Sequence, residues 1–240
     1  MKSKIGIILI AGIFAILLAI GPLFLKTEDS MSWSLPLSGK IIILDAGHGG
    51  IDGGATSASG LLEKDISLEL VLKLRDYLQE AGAFVILTRE EDRDLAQVDT
   101  AKVRSRKVED LKERVRMINT SNADFYLSIH LNAIGASQWR GAQSFYNRAI
   151  ENSDILAKHV QQEMVRNLEN TTRKAKPIHN VYLLQHAEIP GTLVEIGFLS
   201  NPNEAEELST EKYQQKVAAS IYEGVLRYAG NERLPEGAEE

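Results

Sequence analysis

The chain has 240 residues, 44% of them hydrophobic and 25% charged, so it is long enough to bury the core of one sizeable domain. Its net charge of −6 provides no basic surface, which argues against nucleic acid as a partner. Cysteine is absent, which excludes disulfides, thiolate nucleophiles and cysteine-built zinc sites.

The first predicted element is an apolar segment at the N-terminus. Residues 5–25 carry no charge and would span about 30 Å as a helix, the thickness of a bilayer core. Lysines precede the segment and acidic residues follow it soon after, so the positive-inside rule places the rest of the chain outside the cytoplasm. We expect residues 1–26 to be an uncleaved signal anchor or a cleaved signal peptide, which makes the working domain membrane-anchored or secreted.

The rest of the chain divides by composition into a linker, a domain and a tail. Residues 27–39 are polar and read as a linker, residues 40–229 form the working domain, and residues 230–240 are a polar tail. Strands are predicted at 40–47, 83–89, 123–130, 141–147, 181–184 and 192–196. Helices are predicted at 63–81, 108–118, 153–168 and 213–225, with a charged loop at 90–107. The alternation predicts a single α/β domain with a mostly parallel sheet.

Polar side chains stand at several predicted strand ends. His48 lies in the glycine-rich loop DAGHGGIDGGA after the first strand, His130 ends YLSIH, and Glu195 ends TLVE. Glu63 opens the first helix after the glycine loop. Because ligands bind at the carboxyl ends of strands in α/β sheets, we expect these four residues to converge at one edge.

A phosphate site is one interpretation of the glycine loop, and the sequence excludes it. Gly47 and Gly49 fit a dinucleotide fingerprint, but its third glycine position is occupied by Asp52. The Lys-Ser or Lys-Thr ending of a P-loop is also missing. An acidic residue where an anion would bind is unfavourable.

A metal site fits better. Two histidines and one glutamate are a usual ligand set for catalytic zinc, and His48, Glu63 and His130 supply it. The open coordination position lets zinc lower the pKa of water to near 7, and Glu195 is the candidate for the proton acceptor. Glycines would let substrate and backbone approach the metal closely.

Structural interpretations compete with each assignment. A histidine at a strand end usually has a structural role, and Glu63 suits the first turn of any helix. Glu195 is more informative, because an acid among apolar strand residues is costly unless it is paired or used. His159 is expected on a helix surface, whereas His179 and His186 could hydrogen-bond to a metal ligand or serve as spare ligands. Spacing alone therefore leaves a zinc hydrolase and a structural interpretation open.

Five motifs, in their order along the chain, favour the zinc hydrolase. ILDAGHGGIDGGA, LLEKD, VILTR, ADFYLSIHLNA and GTLVEIGFLSNPNEAEEL resemble the zinc-dependent N-acetylmuramoyl-L-alanine amidases of bacterial cell walls, over residues 40–228. The anchored, single-domain layout further resembles the germination-specific, CwlD-type amidases that act on spore-cortex peptidoglycan.

The resemblance implies a roughly six-stranded, mostly parallel sheet with helices on both faces. It implies one zinc ion held by His48, Glu63 and His130, with Glu195 as the catalytic acid/base. The implied reaction hydrolyses the amide between N-acetylmuramic acid and L-alanine in peptidoglycan, in the forespore or cortex space, with an activating partner possible. Leu131 replaces the family's usual alanine and is expected to narrow the groove without affecting zinc. Another zinc-dependent wall peptidase or deacetylase, or a non-catalytic peptidoglycan-binding module, remains an alternative.

Overall fold

The computed structural model describes residues 34–234 of the chain. The predicted signal anchor or signal peptide (1–26), residues 27–33 of the linker and residues 235–240 of the tail lie outside the described residues. Among the helices between residues 34 and 234, none combines the length and the apolar character needed to cross a membrane.

The described residues form one α/β domain. Its strands are β1 Ile41–Ala46, β2 Phe84–Leu87, β3 Phe125–Asn132, β4 Gln143–Tyr146, β5 Lys176–Pro177 and β6 Gly191–Phe198. Its helices are α1 Glu63–Glu80, α2 Val103–Thr120, α3 Ser153–Leu168, α4 Tyr182–His186, α5 Pro202–Leu208 and α6 Glu211–Ala229.

The sheet is mixed, which corrects the mostly parallel sheet expected from sequence. Its strand order is β2-β1-β3-β6-β4-β5, and β2, β1, β3 and β6 run parallel. β4 is antiparallel to β6, and β5 runs with β4. The direction reverses because the chain passes from β3 to β4 through the short loop 133–142, without a helical crossover, and so β4 returns along the far side of β6.

Helices cover both faces of the sheet. Ile42 and Leu44 of β1 point into the larger core, which α1, α3 and α6 close, whereas Ile43 points to a smaller core under α2 and α4. Each of these side chains is fully buried, which contributes about 1.5–3 kcal/mol per residue. Burial on both faces explains the unbroken apolar run of β1 and fixes its carboxyl end, where the glycine loop begins.

Two predicted elements differ from the structure. The strand expected at 181–184 is the short helix α4, in which Leu183 and Leu184 are both buried. A four-residue apolar run cannot distinguish a strand from a helical turn by periodicity. Helix α2 begins at Val103, within the predicted loop 90–107, where Arg106 forms an ion pair with Asp94.

Candidate active site and metal centre

Three of the predicted residues meet at the carboxyl edge of the sheet. His48, Glu63 and His130 present donor atoms that all lie within 4.8 Å of one another. Glu63 bridges the histidines: Oε2 is 3.1 Å from His48 Nε2 and Oε1 accepts a hydrogen bond from His130 Nδ1 at 2.9 Å. The backbone amides of Ala55 and Leu131 also donate to Glu63, at 2.7 and 2.9 Å. Two imidazoles and one carboxylate match the ligand set of catalytic zinc, so this group fits the metal expected from sequence.

The glycines of the loop make room for the ligand side chains themselves. A Cβ on Gly47 would lie 2.5 Å from the His130 ring. A Cβ on Gly54, which has φ +69°, would lie 2.5 Å from Glu63 Oε2 and 2.6 Å from the His48 ring. Any larger residue at either position would push a donor out of the group, so these two glycines are required by the packing of the ligands.

Asp52 orients His48. The sequence places Asp52 in the glycine loop without indicating a role, and its Oδ2 accepts a hydrogen bond from His48 Nδ1 at 2.9 Å. This leaves His48 Nε2 facing Glu63, the arrangement in which a carboxylate fixes the ring of a metal-binding histidine. Burial opposes the charged ring, but Glu63 and Asp52 together raise the pKa of His48 to about 9. A metal must therefore displace a proton from His48 at neutral pH.

Glu195 lies beside these three residues, but its surroundings differ from those of Glu63. It is the register partner of His130 between β3 and β6. Its Oε2 atom is buried and has no hydrogen-bond partner among residues 34–234. Burial, opposed by the charge of His130 and reinforced by that of Glu63, raises the pKa of Glu195 to about 7. A carboxyl group with this pKa can accept and release a proton near neutral pH.

A buried polar network lies under the glycine loop and could not be predicted from sequence. Arg114 of α2 forms ion pairs with Asp45 at 2.5 Å and Asp110 at 2.9 Å. It also donates to the carbonyl oxygens of Ala46 (2.7 Å) and His48 (2.6 Å). His48 has a left-handed backbone with φ 61°, which costs a non-glycine residue about 1–2 kcal/mol. The Arg114 contact offsets part of that cost, so the network stabilises the loop that carries a candidate ligand.

A second buried arginine supports the same loop. Arg89, which ends the VILTR motif, donates to the carbonyl oxygens of Ala46 (3.0 Å), Gly47 (3.0 Å) and Lys64 (2.7 Å). Its side chain thus ties β1 to the first turn of α1. The sequence signal is an arginine directly after a buried strand, but its partners depend on tertiary packing.

The remaining histidines lie outside the candidate site. His159 is fully buried on α3, which corrects the surface position expected from sequence, and its Nε2 lies 3.1 Å from the carbonyl oxygen of Glu232. His179 and His186 are exposed, and within residues 34–234 neither joins the metal-competent group. Leu131 is buried in the larger core, and the cavity over the site is lined by other residues, so the structure lends no support to the expected narrowing of the groove.

Comparisons with known proteins agree with the geometry. Residues 42–227 match the family model described as N-acetylmuramoyl-L-alanine amidase. The chain is 57% identical over 216 residues to the germination-specific N-acetylmuramoyl-L-alanine amidase of Bacillus subtilis (strain 168), covering 90% of this chain and 91% of that relative. It is 43% identical to the CwlD amidase from Clostridioides difficile, solved in complex with the GerS lipoprotein, with a TM-score of 0.78 over 80% of this chain and 100% of that one. The chain belongs to the N-acetylmuramoyl-L-alanine amidase family.

Proposed function

We propose that this chain is a zinc-dependent amidase that hydrolyses the bond between N-acetylmuramic acid and L-alanine in peptidoglycan. His48, Glu63 and His130 hold the zinc, and Glu195 is the general acid/base. Family membership and the donor set support this assignment. When bound, zinc supplies a Lewis acid that polarises the scissile carbonyl and acidifies the attacking water.

The environment of Glu195 is the observation that carries the proposal. Its buried Oε2 atom, without a partner in residues 34–234, is free to bind a reacting group beside the proposed ligands. The Glu195 carboxylate takes a proton from the attacking water and returns it to the departing alanine nitrogen. A protein that only bound peptidoglycan would have no use for such a group, and leaving it unpaired would cost stability.

The biological setting is inferred from two of the comparisons. A germination-specific relative at 57% identity supports a role in spore-cortex peptidoglycan during germination, outside the cytoplasm. The anchor or signal predicted at residues 1–26 would direct export. The CwlD amidase of C. difficile was solved with a lipoprotein, which supports a protein partner for this chain too.

Product identification tests the proposal. The full-length protein would be incubated with purified cortex peptidoglycan, with and without a chelator, and the fragments identified by mass spectrometry. We expect free peptides that begin with L-alanine and muramic acid with a free lactyl carboxylate. Cleavage should stop on chelation and return with zinc. Cuts within the peptide would indicate a peptidase, and loss of acetyl groups a deacetylase; either would overturn the proposal.

A further inference from the structure

A cavity of 430 Å³ opens to one side of the candidate metal centre. His48, His130 and Glu195 are among the residues that line it. Its walls come from α2 on one side and from the segment entering α4 on the other. The apolar side chains on these walls are Leu111, Val181 and Leu183. The cavity therefore brings residues of α2 and of the segment entering α4 together with the residues of the candidate site.

The charged side chains that line the cavity differ in whether they can bind a further partner. Asp45 and Asp110 each form an ion pair with Arg114, and all three side chains are buried. Lys107 of α2 contacts Asp52 with its ammonium group, at 2.7 Å, and 48% of its side chain remains exposed. An ammonium carries three N–H donors, so Lys107 can bind a second carboxylate while it keeps Asp52. Of the lysine and arginine side chains that line the cavity within the described residues, Lys107 is half exposed and Arg114 is buried.

The position of Lys107 relative to the reacting bond limits what it can bind. Its Nζ contacts one oxygen of Asp52, and the other oxygen contacts His48 Nδ1 at 2.9 Å. One carboxylate group thus separates the ammonium from a proposed zinc ligand. A substrate group two peptide residues from the scissile amide extends about 7 Å along the chain, so a carboxylate there is a candidate partner for an ammonium that one carboxylate group separates from His48.

The substrate has an anion at that distance. In peptidoglycan, the residue after L-alanine is commonly D-glutamate linked through its side-chain carboxyl, which leaves its α-carboxylate free. A half-exposed ammonium beside an apolar wall complements a small apolar residue followed by a carboxylate. The glycan, in contrast, presents hydroxyl and acetamido groups to an enzyme and needs no cation at this distance.

We propose that the cavity between α2 and α4 is the subsite for the peptide leaving group, and that Lys107 binds the carboxylate of the residue after the alanine. The inference rests on the proposed amidase function. It makes Lys107 a specificity-determining residue for the peptide part of the substrate.

Two synthetic substrates test this inference. Both are N-acetylmuramoyl-L-alanyl peptides, one with free D-glutamate and one with its α-carboxyl group amidated. We expect the wild-type protein to prefer the acid by about tenfold in kcat/KM, because a charge-assisted hydrogen bond is lost in the amide. Lys107→Met, which keeps the apolar stem, should bring the ratio of the two kcat/KM values close to one. Salt should weaken the wild-type preference.

The control is Lys112→Met, an exposed lysine on the same helix, which should keep the wild-type ratio. Zinc affinity is measured for each protein, because Lys107 could also act through Asp52 on His48. If Lys107→Met lowers kcat/KM for both substrates by the same factor, or if the wild type does not discriminate, the subsite is refuted. Failure of the wild type to cleave either substrate would instead refute the amidase function, and the subsite with it.

Discussion

The two glutamates at the edge of the sheet occupy opposite environments. Glu63 receives hydrogen bonds from both histidines and two backbone amides, and although burial opposes its charge, these partners hold the pKa of Glu63 well below its usual range. Glu195 is beside them on β6, yet its buried Oε2 atom lacks a partner within residues 34–234, and burial raises its pKa to about 7. The first carboxylate is held charged, and the second is free to change protonation.

The difference in environment suits the two glutamates to two different tasks. A metal ligand must remain deprotonated, and the donors around Glu63 favour its charged form, as the proposed ligand role requires. A proton-transfer group works best with a pKa near the working pH, and burial of Glu195 provides this. Pairs of carboxyl groups with divergent pKa values are characteristic of acid/base active sites. The two environments therefore support the roles proposed for Glu63 and Glu195, which spacing alone left open.

The largest expected effect comes from removing one of the three proposed zinc ligands. His130→Ala should lose bound zinc and reduce activity by about 10³-fold or more, since several kcal/mol of stabilisation depend on the metal. Zinc content by atomic spectroscopy and release of peptide from peptidoglycan are measured together. His186→Ala, an exposed histidine, is the matched control. Full zinc occupancy in His130→Ala would remove this residue from the ligand set.

A smaller effect is expected from the residue that orients His48. Asp52→Asn should weaken zinc binding by about 10–100-fold, because the neutral amide no longer holds the ring as the carboxylate does. Competition with a chromogenic chelator measures the affinity, and Asp99→Asn in the exposed loop serves as the control. An unchanged affinity would show that the 2.9 Å contact has no orienting role.

The smallest effect concerns the network below the loop and appears as a pH dependence. Burial opposes the charge of Asp45, but Arg114, His130 and two hydroxyl donors lower its pKa from 3.8 to about 2. A lowered folded-state pKa stabilises the fold at pH values above 4, and this contribution is lost as the pH falls from about 4 to about 2. It amounts to about 2 kcal/mol.

Urea unfolding at pH 7, 4, 3 and 2 measures this contribution. Asp45→Asn should be less stable at pH 7 and should show a shallower loss of stability below pH 4 than the wild type. An identical slope in both proteins would mean that Asp45 does not titrate as the Arg114 pairing requires.

The sequence predicted the residues of the candidate site better than it predicted the buried residues that hold the site in place. His48, Glu63, His130 and Glu195 could be found because each stands at a strand end or a helix start within a recognisable motif. Arg114 could not, since its partners depend on how α2 packs under β1. The surface position of His159 was wrong because α3 also packs against α6, where a Cβ on Gly224 would lie 2.5 Å from the Cα of Val160.

The central claim is that the two glutamates have separate roles, and a paired measurement on Glu63→Gln and Glu195→Gln tests it most directly. Zinc content and peptide release are determined for both variants and the wild type. We predict that Glu63→Gln loses zinc, whereas Glu195→Gln keeps wild-type zinc and loses about 10²–10⁴-fold in kcat. Near-normal turnover of Glu195→Gln, or loss of zinc from both variants, would contradict the account.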